Sequence, residues 1–282
     1  MKKNYYALVA GMPDVAADDA KPALSVAVFK EEYLPRLSAK DQKLAELVLL
    51  KYDNRNLLAY LRQGEEADFD TRAVYPREAW SEAMAQVKAD DEQGRTLPPF
   101  FYKFITAWPT LEDTAEGRLP EDILAEAYYN YVEKTGNAFM RDWFAFDRDV
   151  RNVLTALTAR RYGFQPATRL IGGNEVAQAL ATSGSRDFGL GTELDWLDTL
   201  TRIYDTPDPV ERERKLDLLK WDWLEEHTFF HYFSMERLLA LLLKLDIVER
   251  WAAIDPKRGG HVFRELVERL RNEAEIPQEF KK

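Results

Sequence analysis

Apolar residues recur along most of this chain at helical spacing, three or four positions apart, and strand-like alternation is scarce. Ser38 is placed to cap a helix, with Asp41 in its first turn, where a negative charge suits the helix dipole. Leu44, Leu47, Leu50, Leu57, Leu58 and Leu61 continue its apolar stripe, and Gly64 supplies a stop. Pro76 opens a helix through Trp80, Met84 and Val87, the polar stretch 90–99 turns, and Pro98-Pro99 opens a short aromatic helix, FFYKFITAW. After a loop with Gly117 and Pro120, two helices are predicted at about 121–134 and 138–162, separated by Thr135-Gly136-Asn137. The second buries Trp143, Phe146, Val150, Val153, Leu154 and Leu157, and Gly163 closes it. Residues 163–195 are glycine-rich and read as turns, with Asn174 a candidate N-cap. Asp208-Pro209 starts a helix through Leu216, Leu219 and Trp223, and another is predicted over 228–252. A turn at Asp255–Gly260 precedes a last helix at 261–273. YYALVAG at 5–11 is the one strand-like run, and a single strand makes no sheet. The class is therefore all-α. No Pro/Ser/Gly linker divides the chain, so residues 1–282 read as one continuous helical domain, with lobes at roughly 1–90, 91–165 and 166–282.

Composition narrows the partners. With 46% hydrophobic residues over 282 positions the chain can build a substantial core. The net charge of −10 makes free nucleic acid a poor partner, since phosphate binding needs a basic footprint. Having no cysteine, the chain has no disulfide and no thiolate metal site, which suits a reducing cytoplasm. The apolar run near the N-terminus is too short for a signal peptide or a bilayer span. The run at 237–248 is interrupted by Lys244 and Asp246 and reads as a buried helix. A soluble protein with no direct membrane span is expected.

Candidate chemistry is sparse. His227 and His231 are four apart and share a face if their stretch is helical, a spacing that can hold a metal. Thr228 stands where a zinc-protease motif needs Glu, and Leu224 and Thr228 stand where a di-iron bundle needs Glu. The preferred reading of this stretch is an aromatic core with two embedded histidines, and the chain's aromatic content fits either a large core or a partner surface. Gly172-Gly173-Asn174-Glu175 and Gly189-Leu190-Gly191 match neither phosphate-loop spacing and read as turns. No G-x-S-x-G elbow is present, and acidic pairs such as Glu65-Glu66 and Glu225-Glu226 read as solvated faces. No catalytic residue and no cofactor is assigned; a metal-dependent enzyme using His227 and His231, or a helical scaffold, stands as the alternative.

One polar signature occurs twice. Asp53, Arg55, Asn56, Leu58 and Leu61 align without gaps on Asp149, Arg151, Asn152, Leu154 and Leu157, and Leu47 and Leu50 align on Trp143 and Phe146. Asp and Asn then sit one turn apart beside the same buried stripe, and a polar group there needs hydrogen-bond partners. Either they bond neighbouring segments and fix their register, or the match is coincidental and they lie at the solvent edge. A fainter third copy at 232–251 has Ser234 and Arg237 at the Asp and Asn positions.

Four stretches together resemble the C/d-type subunit of V-type (vacuolar/archaeal-type) ATPases, their central-stalk adaptor, in its prokaryotic form. Asp149-Val150-Arg151-Asn152 with LTALTARRYG resembles that adaptor's Asp-x-x-Asn helix and its basic-Tyr-Gly end. Arg169-Leu170-Ile171-Gly172-Gly173 is similar to its Leu-Ile-x-Gly-Gly turn, and FSMERLLALLLKLDIVERWAAID to its late helix, with Glu249 as that helix's carboxylate. The opening YYALVAGMP is most similar to a divergent, uncharacterised bacterial family encoded beside V-type ATPase components. The resemblance implies a funnel of related helical lobes without active site or cofactor. It implies a cytoplasmic adaptor peripheral to the inner membrane, set between the rotor shaft and the ring of proteolipid subunits and serving ion or proton transport. The sequence departs from that pattern in its shorter length, its eroded third repeat, and Trp251 where a polar residue is frequent.

Overall fold

The structure, a computed structural model, describes residues 5–17, 19, 22–112 and 118–254, with the side chains of 112 and 252–254 excluded. The turn at 255–260 and the last helix at 261–273 expected from the sequence lie outside the described residues. The described chain is all-helical and contains no strand. Its helices are α1 (Tyr6–Ala10), α2 (Val26–Val28), α3 (Ala39–Gln63), α4 (Arg77–Lys88), α5 (Pro99–Glu112), α6 (Pro120–Val132), α7 (Ala138–Tyr162), α8 (Glu175–Thr182), α9 (Leu197–Tyr204), α10 (Pro209–Thr228) and α11 (Met235–Ile254). The strand-like run at 5–11 forms α1 instead. It is too short for periodicity to separate the two conformations. No described helix is long and apolar enough to cross a membrane.

The chain divides into two compact units, residues 37–204 and residues 1–36 with 205–282. These boundaries do not coincide with the lobe limits expected near residues 90 and 165.

The 37–204 unit is built around two 25-residue helices, α3 and α7. Ser38 Oγ accepts from the Asp41 amide, and Asn137 Oδ1 from the Met140 amide at 3.0 Å, capping each at its start. Gly64 and Gly163 end them at φ 67° and 73°, where a side chain would be strained. Helix α6 packs against both long helices, α4 and α5 pack on each other, and α8 and α9 pack on α7. The core includes Trp80 and Phe101, fully buried and edge-to-face at 4.9 Å. Helix α5 carries the expected aromatic run past Pro109 to Glu112.

In the other unit α10 and α11 pack together and α2 packs on α11. Asp208 Oδ1 caps α10, accepting from the amides of Val210 and Glu211 at 2.7 and 3.0 Å. Buried polar groups tie the pair. Asp217 accepts from Arg250 and from the Trp251 indole, Arg214 lies 3.6 Å from the Trp251 ring centre, and Lys244 donates to Glu225. Burial lowers the Lys244 pKa, and Glu225 opposes the shift. The helix expected over 228–252 opens only at Met235, leaving residues 229–234 as the turn between α10 and α11.

Candidate functional site

The repeated Asp-x-Arg-Asn signature holds two loops. On α3, Asp53 and Asn56 are fully or almost fully buried. Asn56 bonds both backbone groups of one residue: Oδ1 accepts from the Asp70 amide at 2.8 Å, and Nδ2 donates to the Asp70 carbonyl at 3.1 Å. Asp53 accepts from the amides of Val74 and Tyr75 at 2.8 and 3.0 Å, immediately before α4 begins. Burial and the Asp53 charge both raise the Tyr75 phenol above its ordinary value. These bonds satisfy backbone groups that a loop folded against a core cannot give to water.

On α7 the asparagine does the same work, while the aspartate bonds side chains instead of backbone amides. Asn152, fully buried, accepts from the Ile171 amide through Oδ1 and donates to the Ile171 carbonyl through Nδ2, both at 2.8 Å. Asp149 accepts from Nδ2 of Asn174, whose Oδ1 caps α8 through the Ala177 amide. In each copy, then, Asn grips a loop residue and Asp steadies the residues that open the next helix. The clamped residue lies 14 positions after Asn56 and 19 after Asn152. The signature sits one helical turn nearer the start of α7 than of α3, since Asp53 is residue 15 of its helix and Asp149 residue 12. The flanking arginines differ. Arg55 is exposed, whereas Arg151 bonds Asp122 of α6 at 2.7 Å.

The Leu170-Ile171-Gly172-Gly173 turn is held by side chains at three of its four residues. Arg118 donates to the Leu170 carbonyl, Asn152 grips Ile171, and Gln178 donates to the Gly173 carbonyl. Gly172 adopts φ 79° against the buried Arg148 side chain, so the position needs glycine. Arg148 bonds Glu133 and Asp149. Burial raises the Asp149 carboxyl above its ordinary value, and Arg148 and Asn174 act against that shift. Ser234 and Arg237, the faint third copy, do not clamp in this way. Ser234 meets His231 at 3.3 Å and Arg237 pairs with Glu225.

In the other unit Glu249 accepts from the Val26 amide at the start of α2, where Ser25 also caps the helix. That carboxylate is thus a helix-start acceptor between α11 and α2.

The two histidines do not share a helix face. Helix α10 ends at Thr228, so His227 lies in its last turn and His231 in the turn beyond. His227 stacks on Trp223 at 3.7 Å, and His231 lies 3.8 Å from Glu236. Among the described residues no group of three or more His, Cys, Asp or Glu is placed to hold a metal. The aromatics at 221–233 divide: Trp221 is buried, while Phe229, Phe230, Tyr232 and Phe233 are exposed.

A modest pH effect follows from the first loop. Burial works to raise the Asp70 carboxyl, but hydrogen bonds from Arg72 and the charges of Arg72 and Arg55 outweigh it and bring the pKa below the ordinary value. A depressed carboxylate pKa adds stability above about pH 4, its unfolded value, and that stability fades as pH falls through the folded value. Asp70→Asn is therefore expected to cost ~0.5–1 kcal/mol at neutral pH and nothing once Asp70 is protonated in both states, as read by denaturant melts along a pH series. An equal cost at all pH values would refute the assignment.

Fold and site thus define an all-helical protein whose polar signatures are loop clamps and whose exposed feature is an aromatic turn. The chain belongs to the family described as "Protein of unknown function (DUF2764)", whose family model matches residues 1–274. Searches of curated proteins and of solved structures return no match.

Proposed function

We propose that this chain is a non-catalytic adaptor of a V-type rotary ATPase, joining the rotor shaft to the membrane ring of proteolipid subunits during ion or proton transport. One observation carries the reading. Two of the stretches that resemble the C/d-type adaptor, the Asp-x-x-Asn helix and the Leu-Ile-x-Gly-Gly turn, are bonded to each other through Asn152 and Ile171. A resemblance in both stretches together is what a shared local fold requires, and it is harder to reach by chance than either alone. The amide of Asn152 is spent at both ends on backbone, which is the behaviour of a group that sets shape.

In this reading Asp53 with Asn56 and Asp149 with Asn152 are equivalent positions in related lobes of a funnel. The protein works on the cytoplasmic side, peripheral to the inner membrane through its complex. A coupler needs stiff, shaped elements and partner surfaces, and clamped loops supply stiffness. Tagged chain drawn from native membranes at physiological salt is expected to bring V-type ATPase shaft and ring subunits with it. Recovery free of every such subunit would refute the proposal.

A further inference from the structure

We propose that α8 is a flap that detaches from α7 as a unit, hinged on the glycine turns at its two ends and latched at its start by Asp149, whose negative charge loosens the latch. The chain is pinned just outside each hinge. Before it, Ile171 is fully buried and held at both backbone groups by Asn152. After it, Phe188 and Leu190 are buried, and the Arg160 guanidinium lies 3.5 Å from the Phe188 ring centre. Between the pins, Gly173 precedes the Asn174 cap and Gly184 follows Ser183, which ends the helix. Nothing lies within 4 Å of where a Cβ would stand on either glycine, so the backbone can turn at both without collision. Little holds the segment down. Val176, Ala177 and Leu180 are the buried residues of α8. Arg160 donates to the Ser183 carbonyl at 2.8 Å, at an exposed position where water can replace it. At the other end Asn174 Nδ2 donates to Asp149 at 3.3 Å, long for such a bond.

Asp149 is a poorly compensated charge. Asp53 takes two backbone amides, whereas Asp149 meets side chains, and the cation beside it, Arg148, also serves Glu133 of α6. Asp122 of α6 is bonded to Arg151. The start of α8 brings the neutral Asn174 to the carboxylate, and Glu175 after it is exposed. On α9, Asp198 and Arg202 are exposed and paired with each other. Burial outweighs Arg148 and Asn174 and holds the Asp149 carboxyl above its ordinary value. When α8 lifts, Asn174 leaves and water reaches the carboxylate, so the ionised form gains from opening. The closed flap thus binds the proton more tightly than the open one. Closure is fully strengthened below the ordinary value, near pH 4, and that gain is lost as pH rises through the raised one. The inference holds whichever complex the chain serves.

The test is hydrogen exchange of the full-length chain, read by mass spectrometry from about pH 7.5 to about pH 4.5 and corrected for intrinsic exchange. At neutral pH the amides of α8 are expected to be at least about tenfold less protected than those in the middle of α7. The gap is expected to narrow as pH falls, by no more than about tenfold per unit, the limit for one proton. Asp149→Asn is expected to remove this pH dependence. Neither hinge glycine has a left-handed φ, so alanine fits both; Gly173→Ala and Gly184→Ala are each expected to raise α8 protection about two- to fivefold by stiffening the open state, with α7 unchanged. Protection of α8 equal to that of α7, or unmoved by both glycine replacements, overturns the flap. Protection that is constant with pH, as a merely frayed helix would give, that weakens toward acid, or that keeps its pH dependence in Asp149→Asn overturns the latch. Protection of α7 in each variant reports whether the fold is retained, and the wild-type pH series with the glycine variants decides the matter even where Asp149→Asn unfolds.

Discussion

Asn152→Ala is expected to destabilise the 37–204 unit by about 3–4 kcal/mol. The side chain is fully buried, and both of its polar ends are bonded to Ile171. Truncation leaves an amide and a carbonyl without partners, at roughly 1–3 kcal/mol each, and opens a small cavity. Water offers little rescue, because Ile171 is itself fully buried. Asn152→Asp separates geometry from size. It retains an acceptor for the Ile171 amide but sets a carboxylate against the Ile171 carbonyl, so it is expected to cost at least as much as alanine. Denaturant melts of both variants provide the check. A loss below about 1 kcal/mol for Asn152→Ala would mean that the clamp is not a stabilising contact.

Asp53→Ala is expected to cost about as much. Its carboxylate, fully buried, accepts from the Val74 and Tyr75 amides, and charge-assisted bonds are worth about 1.5–3 kcal/mol each. Asp53→Asn is the milder change, since its amide oxygen can still serve one amide while its NH2 faces the other. About half the alanine cost is expected, on the order of 2 kcal/mol. Hydrogen exchange gives the localised readout. Protection is expected to fall first at Val74, Tyr75 and the start of α4, with α7 and α8 unaffected. Uniform loss across the unit would place Asp53 in a different role.

How much of this was legible depended on whether the determining contact was local. Ser38, Asn174 and Asp208 cap the helices their positions implied, and Gly64 and Gly163 end theirs, because caps and stops are settled within one turn. The need of Asp53, Asn56, Asp149 and Asn152 for partners was also readable, from their place beside the apolar stripe. Their partners were not, since those lie 14 to 25 residues downstream in loops without periodicity. The turn at 229–234 was hidden for a different reason. Its aromatics continue the helical spacing, and no glycine or proline marks the break. Thr228 closes α10 with its hydroxyl on the Leu224 carbonyl at 2.6 Å, and the rings beyond it face water. The short helices α8 and α9 carry too few turns for their stripe to stand out from the glycine-rich stretch around them.

Coupling is measured most directly in inverted native membrane vesicles, by following ion uptake and ATP hydrolysis together. A chain that joins shaft to ring is expected to set the ratio between them. Vesicles from cells lacking it should still hydrolyse ATP through the V-type enzyme yet take up few ions, and adding back the purified chain should restore uptake. An unchanged ratio of uptake to hydrolysis in its absence would contradict an adaptor role.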